Sequence, residues 1–350
     1  MRPVTSAHTA AARVDVVTIG HAIVDVLMPS DDEFLDRHRL VKGSMELVEA
    51  DRAVRLYDDM ILHAGALRGH LTEMSGGSAA NTAVVVAELG GAAAFFGKVH
   101  DDPLGHTYRR DMQAAGVRFE STMTVGNGTP TGRCLINVSP DAERTMCTFL
   151  GAARGLRVPD MDVSVLASAQ VTYLEGYLWD EMNARPALDH AMTTVHKAGQ
   201  RFSLSLSDPF CVDRFRSEWI ELIADHVDIL FGNEFELCSL FETADFDAAL
   251  RRVRGMCEIA AITRGAEGSI IVNRHGTTEV PAFPVAHVVD TTGAGDAYAG
   301  GFLFGFTQGY DLGRCGELGG IAAAEIISHL GGRPTPALHE LIAHPSAQKG

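Results

Sequence analysis

The residues best suited to chemistry lie in one short run, DTTGAGD at 290–296, which follows a β-like stretch and precedes an apolar segment. Gly293, Ala294 and Gly295 are small, so successive backbone amides can converge on one point, and a helix start adds partial positive charge there. The run therefore predicts an anion-binding cradle. At its rim, the Asp296 carboxylate can accept a proton from a hydroxyl that attacks a bound phosphate. A capped helix start with a glycine-rich turn is the alternative interpretation.

A second glycine site, SGGSAANTA at 75–83, also opens a predicted helix. Gly76 and Gly77 let a ligand approach bare backbone, and Asn81 offers both a hydrogen-bond donor and an acceptor. A tight loop before a helix would have a similar sequence. Neither glycine site fits GxGxxG, since Tyr298 occupies its last glycine position, and GxxxxGK[ST] does not occur in the chain. A dinucleotide-dependent oxidoreductase is therefore disfavoured.

The elements that must position these sites alternate between buried strands and helices. Apolar, β-branched runs separated by helical stretches are typical of a parallel sheet built from βαβ units. The predicted strands are 14–19, 93–99, 171–174, 202–206, 229–231, 260–263 and 269–272. The predicted helices are 79–89, 107–115, 187–198, 234–241, 247–256, 296–307 and 318–329.

One segment interrupts this alternation. Residues 131–138 and 145–150 are strand-like runs joined by SPDAE, which predicts a hairpin, and residues 24–28 are also strand-like. Together they predict a small sheet outside the main one, suited to cover a ligand. We expect one α/β domain over 14–340 with lid segments near 21–50 and 116–150, and flexible ends at 1–13 and 341–350.

Composition limits the possible partners. The 350-residue chain is 46% hydrophobic and 21% charged, which is enough apolar material for a sizeable core, and its formal net charge is -16. Such an acidic chain is a poor partner for nucleic acid. Six scattered cysteines without metal-ligand spacing predict reduced core thiols, and we expect neither a signal peptide nor a membrane span. A cytoplasmic location and a small-molecule substrate follow as expectations.

The two glycine sites, taken together, resemble the signatures of the PfkB (ribokinase-like) carbohydrate kinases, and the resemblance covers nearly the whole chain. It implies a doubly wound, mostly parallel α/β fold with a small β lid. It also implies that Asp296 is the catalytic base, that Gly293, Ala294 and Gly295 form the anion hole, and that Gly76, Gly77 and Asn81 hold the acceptor.

Two further strings match the family in the expected order. NEFE at 233–236 is similar to its NxxE motif, which implies that Asn233 and Glu236 orient Mg²⁺ through water; by itself the string is a helix start. TRGAEG at 263–268 resembles the segment along the nucleotide phosphates, which implies that Thr263, Gly265 and Gly268 contact ATP. A hairpin turn explains that string equally well. A monovalent cation such as K⁺ is a further possible cofactor in this family.

Within the family, strings at 20–36, 130–134, 206–210 and 231–234 look most like adenosine kinases. The resemblance implies that Asp25 binds the ribose hydroxyls and that Arg144, in the hairpin, moves toward the transferred phosphate. His21 stands where adenosine kinases commonly have Asn, which predicts an altered nucleoside contact.

These observations predict an ATP-dependent kinase that phosphorylates a primary hydroxyl, with adenosine as the favoured acceptor. A ribokinase- or fructokinase-like sugar kinase is the first alternative. A nucleoside- or sugar-binding sensor without turnover is the second, although an intact Asp296 and cradle count against it. The oligomeric state is open between monomer and homodimer.

Overall fold

The computed structural model describes residues 13–66, 70–121, 123–140, 143–335 and 337–343. The ends predicted to be flexible lie mostly outside these ranges. Within them, the strands are β1 (Val16–Ile19), β2 (Ile23–Pro29), β3 (Met45–Leu47), β4 (Thr72–Gly76), β5 (Ala93–Phe96), β6 (Gly132–Val138), β7 (Arg144–Phe149), β8 (Val171–Glu175), β9 (Arg201–Ser205), β10 (Ile229–Asn233), β11 (Ile259–Thr263), β12 (Ser269–Asn273) and β13 (Gly276–Val280).

Helices alternate with most of these strands. They are α1 (Asp32–His38), α2 (Ala50–Ala66), α3 (Ser78–Glu88), α4 (Pro103–Ala114), α5 (Val163–Ser168), α6 (Arg185–Lys197), α7 (Pro209–Arg214), α8 (Arg216–His226), α9 (Glu234–Leu240), α10 (Phe246–Val253), α11 (Ala294–Thr307), α12 (Leu312–Ile326) and α13 (Ala337–Ala343). None of the helices in these ranges has the length and apolar character needed to cross a bilayer.

Eight strands form the large sheet in the order β13-β12-β11-β10-β9-β8-β1-β5. The six strands from β11 to β5 pair in parallel, and β12 and β13 add an antiparallel edge. Strands β1, β5 and β8 are buried at every residue, as expected for strands with helices on both faces. The predicted doubly wound, mostly parallel α/β fold is confirmed.

Five strands form a second, smaller sheet in the order β3-β7-β6-β2-β4. Along β2, burial alternates: Val24, Val26 and Met28 are fully buried, whereas Ile23 and Asp25 are partly exposed. The buried face packs on α2, and the other face is turned toward the large sheet. Strands β6 and β7 pair antiparallel, so the predicted hairpin strands are present, although residues 141 and 142 of its turn lie outside the described residues.

Several elements differ from the sequence expectation. Helix α4 begins at Pro103 rather than Thr107 because Asp102 caps it, accepting a hydrogen bond from Gly105 N at 2.8 Å. Helix α12 likewise begins at Leu312 rather than Leu318, after its cap Asp311. Helices α1, α2, α5, α7, α8 and α13 and strands β3, β4 and β13 were not expected. The strand expected over 93–99 ends at Phe96, and residues 118 and 124 bridge to residues 94 and 100 beside it.

Candidate active site

A cleft of about 420 Å³ separates the second sheet from the carboxyl ends of the large-sheet strands. Parallel strands all end at one edge of a sheet, and this is where α/β proteins bind ligands. The cleft collects most of the residues that the sequence singled out. Those in its lining are Asp25, Gly77, Asn81, Asn233, Glu236, Thr263, Gly293, Ala294, Gly295 and Asp296.

The predicted cradle is a turn into helix α11. Gly293 precedes the helix with a left-handed backbone, φ 78°, and a Cβ there would lie 2.8 Å from the Cα of Gly332. Only glycine satisfies both conditions without strain. Amides in the first turn of a helix have no intrahelical acceptor, so they present partial positive charge to the cleft. The turn therefore has the geometry of an anion site.

Asp296 follows the cradle and is held by two donors from α3. Ser78 Oγ donates to Oδ1 at 2.6 Å, and Asn81 Nδ2 donates to Oδ2 at 2.9 Å. Burial raises the pKa of the Asp296 carboxyl to about 6; the two hydrogen bonds oppose this rise, and the charge of Glu175 adds to it. A carboxylate with that pKa is ionised at neutral pH and can accept a proton.

Asp25 projects from β2 into the same cleft. Burial raises its pKa to about 6, the positive charges of Arg333 and Arg144 lower it, and Asp296 raises it further. A Cβ at Gly76 would lie 2.5 Å from Asp25 Oδ2, so a larger residue there would displace this carboxylate. Gly76 thus supports the cleft from behind Asp25, whereas Gly77, with φ 97°, lines it directly.

His21 has a different environment from the one the sequence suggested. Its ring is buried, with Nδ1 2.8 Å from Glu175 Oε1, and His21 is not among the described residues that line the cleft. Glu175 also accepts hydrogen bonds from the backbone amides of His21 at 2.7 Å and Ala79 at 2.8 Å. His21 and Glu175 therefore join the start of α3 to β1, and a contact of His21 with substrate stays a prediction.

Arg144 lies beside the cradle. Its Nη2 is 2.9 Å from Asp290 Oδ2, an ion pair by distance, but the alignment is not that of a hydrogen bond. Only 9% of either side chain is exposed. In the described part of the chain, Nε and Nη2 of this guanidinium have no aligned acceptor. Arg144 thus has donors to spare next to the anion site, although its movement toward a phosphate stays a prediction.

Asn233 and Glu236 form a reciprocal cap at the start of α9. Asn233 Oδ1 accepts from Glu236 N at 2.9 Å, and Glu236 Oε2 accepts from Asn233 N at 2.8 Å. Burial raises the pKa of Glu236 to about 7. Among the described residues there is no cluster of three or more His, Cys, Asp or Glu able to ligate a metal directly. A magnesium ion held through water fits this site, because Glu236 lines the cleft with a carboxylate.

A second cavity, of about 620 Å³, adjoins the first. The two share Thr263, Thr291, Ala294, Gly295 and Tyr298, so the cradle lies between them. The turn from β11 to β12 forms one wall, with Gly265 at φ 55° and Gly268 at φ 86°. The segment at 263–268 is therefore both a hairpin turn and a cavity wall.

Two functional candidates escaped the sequence analysis. Glu175 ends an apolar strand, and no motif marks it. Arg333 lies in the loop after α12 and reaches the first glycine site, where its Nε donates to Ser75 O at 2.9 Å. Both are brought to the site by tertiary structure, and no local pattern identifies either.

Similarity to known proteins agrees with this geometry. Residues 52–338 match the pfkB family of carbohydrate kinases. The adenosine kinase of Sinorhizobium meliloti has a similar structure, with TM-score 0.85 and 45% identity over 96% of this chain and 100% of that one. A probable sugar kinase of Rhizobium etli gives TM-score 0.85 and 43% identity over 95% of this chain and 98% of that one. The Saccharomyces cerevisiae adenosine kinase is 26% identical over 90% of this chain and 95% of its own length.

The family match covers most of the chain, and the two signature segments meet in the cleft, where Ser78 and Asn81 of one hold Asp296 of the other. The small covering sheet and the large parallel sheet also agree with the fold expected from the resemblance. The chain belongs to the pfkB family of carbohydrate kinases.

Proposed function

We propose that this kinase transfers the γ-phosphoryl group of ATP to the 5′-hydroxyl of adenosine. The observation that carries the proposal is the position of Asp296, which stands in the charged cleft at the point where the second cavity and the cradle meet. An acceptor in the cleft and a donor in the second cavity would meet at this carboxylate.

In this mechanism, Asp25 and Asn81 bind the acceptor and hold its hydroxyl toward Asp296. Asp296 accepts the hydroxyl proton while the oxygen attacks the γ-phosphorus, and the bond to the departing ADP oxygen breaks on the opposite side. The amides of Gly293, Ala294 and Gly295 stabilise the developing charge, with Arg144 as a further donor. Such catalysis depends mainly on positioning and preorganised charge.

Family membership implies ATP as donor and usually Mg²⁺. Magnesium would neutralise phosphate charge, and Asn233 and Glu236 are the residues suited to orient it through its water shell. Thr263, Gly265 and Gly268 would contact the nucleotide from the wall of the second cavity. Activation by a monovalent cation and a cytoplasmic location remain predictions from the sequence.

Apolar surface on both sides of the cleft supports a nucleoside acceptor. Met146 and Thr148 of β7 line the cleft, and Met45 and Leu47 of β3 are their paired neighbours on the same face of the sheet. The side chains of Met45 and Leu47 are 55% and 64% exposed. On the large-sheet side, Tyr177 lines the cleft and is 36% exposed. A flat base can cover such surface and gain about 1 to 3 kcal/mol that a pentose cannot. The names of the relatives in S. meliloti and S. cerevisiae favour the same acceptor.

A sugar acceptor is the competing candidate, because one similar structure is named a probable sugar kinase and a relative in Geobacillus kaustophilus is a 5-dehydro-2-deoxygluconokinase. The deciding experiment is a coupled ADP-release assay with adenosine, guanosine, inosine, ribose and fructose. We expect the highest kcat/KM with adenosine. If ribose or fructose gives the higher value, the acceptor assignment is wrong. If no acceptor gives ADP release although the ligands bind, the result would favour a binding sensor without turnover.

A further inference from the structure

Arg333 reaches the turn at the first glycine site from a loop that no sequence motif marks. Its Nε donates to Ser75 O at 2.9 Å, Nη1 donates to Ala80 O at 2.9 Å, and Nη2 donates to Ser75 Oγ at 3.0 Å. One guanidinium thus holds both ends of the turn that carries Gly76, Gly77 and Ser78. Such a planar fork of donors is specific to arginine.

The loop that carries Arg333 also touches the cradle. Gly331 N donates to Asp290 Oδ2 at 2.9 Å. A Cβ at Gly332 would lie 2.9 Å from Asn81 Nδ2, the same amide that donates to Asp296. The segment of residues 331–333 is therefore packed against both signature segments, and it brings the charge of Arg333 with it.

Among the residues that the structure describes, Arg333 has no direct counter-ion. Its hydrogen bonds go to backbone and hydroxyl oxygens and to Met112 sulfur, and in the described residues no carboxylate forms an ion pair with it. The positive charge of Arg333 nevertheless lowers the pKa of Asp25 and of Asp296, so it favours the ionised form of each carboxyl. The titratable and charged groups that face Arg333 or these two carboxylates are Arg144, Glu175, Glu236, Tyr108, Asp111, Cys134, Tyr173 and Tyr177.

The geometry points to Arg333 as a positioning residue of this active site. It fixes the turn whose Gly76 lies against Asp25 and whose Ser78 donates to Asp296, and so holds its positive charge on the protein side of both carboxylates. The inference rests on the proposed function of that cleft. A cation placed behind two carboxylates keeps them ionised without neutralising either one by a direct ion pair, so each remains free to accept a proton or a hydrogen bond.

The test replaces the charge and reads the carboxyl groups directly. Carbon-13 NMR titrations of Asp25 and Asp296, assigned with Asp25→Asn and Asp296→Asn, are compared between the wild type and Arg333→Met. Loss of a positive charge disfavours the ionised form, so we expect the pKa of Asp25 to rise by at least about half a unit and that of Asp296 to rise by less. Arg333→Lys, which keeps the charge, should restore the wild-type titration. If Arg333→Met does not fold, Arg333→Gln is the neutral variant that keeps a donor for Ser75 O.

Arg109→Met is the matched control, since Arg109 on α4 is also partly buried and donates to a backbone carbonyl, Ser121 O, at 3.0 Å. It should leave both titrations unchanged. Unchanged titrations in a folded neutral variant of Arg333 would overturn the inference and leave only a structural role.

The pH dependence of kcat/KM for adenosine gives the second readout. The acidic limb should move to higher pH in Arg333→Met and return in Arg333→Lys, and a uniform loss of activity at all pH values would contradict the inference. A wild-type enzyme that does not phosphorylate adenosine would contradict the proposed function instead. The carboxyl titrations would then still decide the role of Arg333, because they need no turnover.

Discussion

The two adjoining cavities, the first cleft (the acceptor cleft) and the second cavity (the donor cavity), are lined by different kinds of residues. The acceptor cleft contains the carboxylates of Asp25, Glu236 and Asp296, and burial raises the pKa of each. In the described lining of the donor cavity there is no charged side chain, only glycines, apolar residues and hydroxyls. The proton chemistry therefore belongs to side chains on the acceptor side, and the phosphate site between the cavities is made largely of backbone.

The largest expected effect lies at the boundary between the two cavities. A Cβ at Gly295 would meet no atom within 4 Å, and its φ is not left-handed, so Gly295→Ala should fold with unchanged stability. Its methyl group would project toward the phosphate site and separate the phosphate from the amides, so we expect kcat to fall about 100-fold. Gly276→Ala, equally free of neighbours but at a distant hairpin turn, is the control and should retain full activity. Full activity of Gly295→Ala would contradict the claim that the cradle amides bind the phosphate.

A smaller, one-sided effect is expected from the acceptor cleft. Asp25→Ala removes charge-assisted hydrogen bonds worth roughly 1.5 to 3 kcal/mol, so kcat/KM for the acceptor should fall at least about tenfold. The KM for ATP should barely change. Asp58→Ala, which changes an exposed side chain of α2, is the control. Equal losses for both substrates would show that Asp25 supports the lid or the fold.

The converse prediction is a substitution in the donor cavity that changes the KM for ATP and leaves the KM for the acceptor constant. Gly320 on α12 lines this cavity, and a Cβ there would meet no atom within 4 Å. Gly320→Leu should fill space that the nucleotide base needs and raise the KM for ATP about fivefold, whereas Gly320→Ala should have little effect. The KM for the acceptor should stay constant in both. A change in the acceptor KM alone would place the two substrates the other way round.

The smallest effect is on stability. The pKa of Asp296 is about 6 in the folded protein and 3.8 for the unperturbed group, so its contribution to stability is lost as pH rises between these values. Asp296→Asn does not ionise, so its stability relative to wild type should increase from pH 4 to pH 7, by on the order of 1 kcal/mol. Urea unfolding at the two pH values measures this. A relative stability that falls over the same interval would contradict the raised pKa.

The sequence predicts the acceptor side and the cradle better than the rest, for a physical reason. Gly293 and Asp296 act within one turn of the chain, so their roles appear in the sequence as a local pattern of residues. Glu175 and Arg333 act across the fold, at 2.8 Å from Ala79 N and 2.9 Å from Ser75 O respectively. A single charged residue at the end of a strand or in a loop carries no such pattern.

The elements follow the same rule. The large-sheet strands other than β13 were predicted because they are continuous apolar runs. Helix α2 was not, although its buried residues Ala53, Leu56, Met60 and Ala64 have helical spacing, because two small alanines make a weak apolar stripe. Strand β4 ends in Ser75 and Gly76 and resembles a loop.

The most direct test of the central claim, that Asp296 is the base, is a chemical-quench measurement of AMP formed in a single turnover from enzyme-bound adenosine and ATP. Asp296→Asn keeps the shape of the side chain and removes the proton acceptor. The transfer rate should fall by at least about 100-fold while both substrates still bind. A transfer rate within about threefold of wild type, in a folded variant, would show that Asp296 only joins helix α11 to α3 through Ser78 and Asn81.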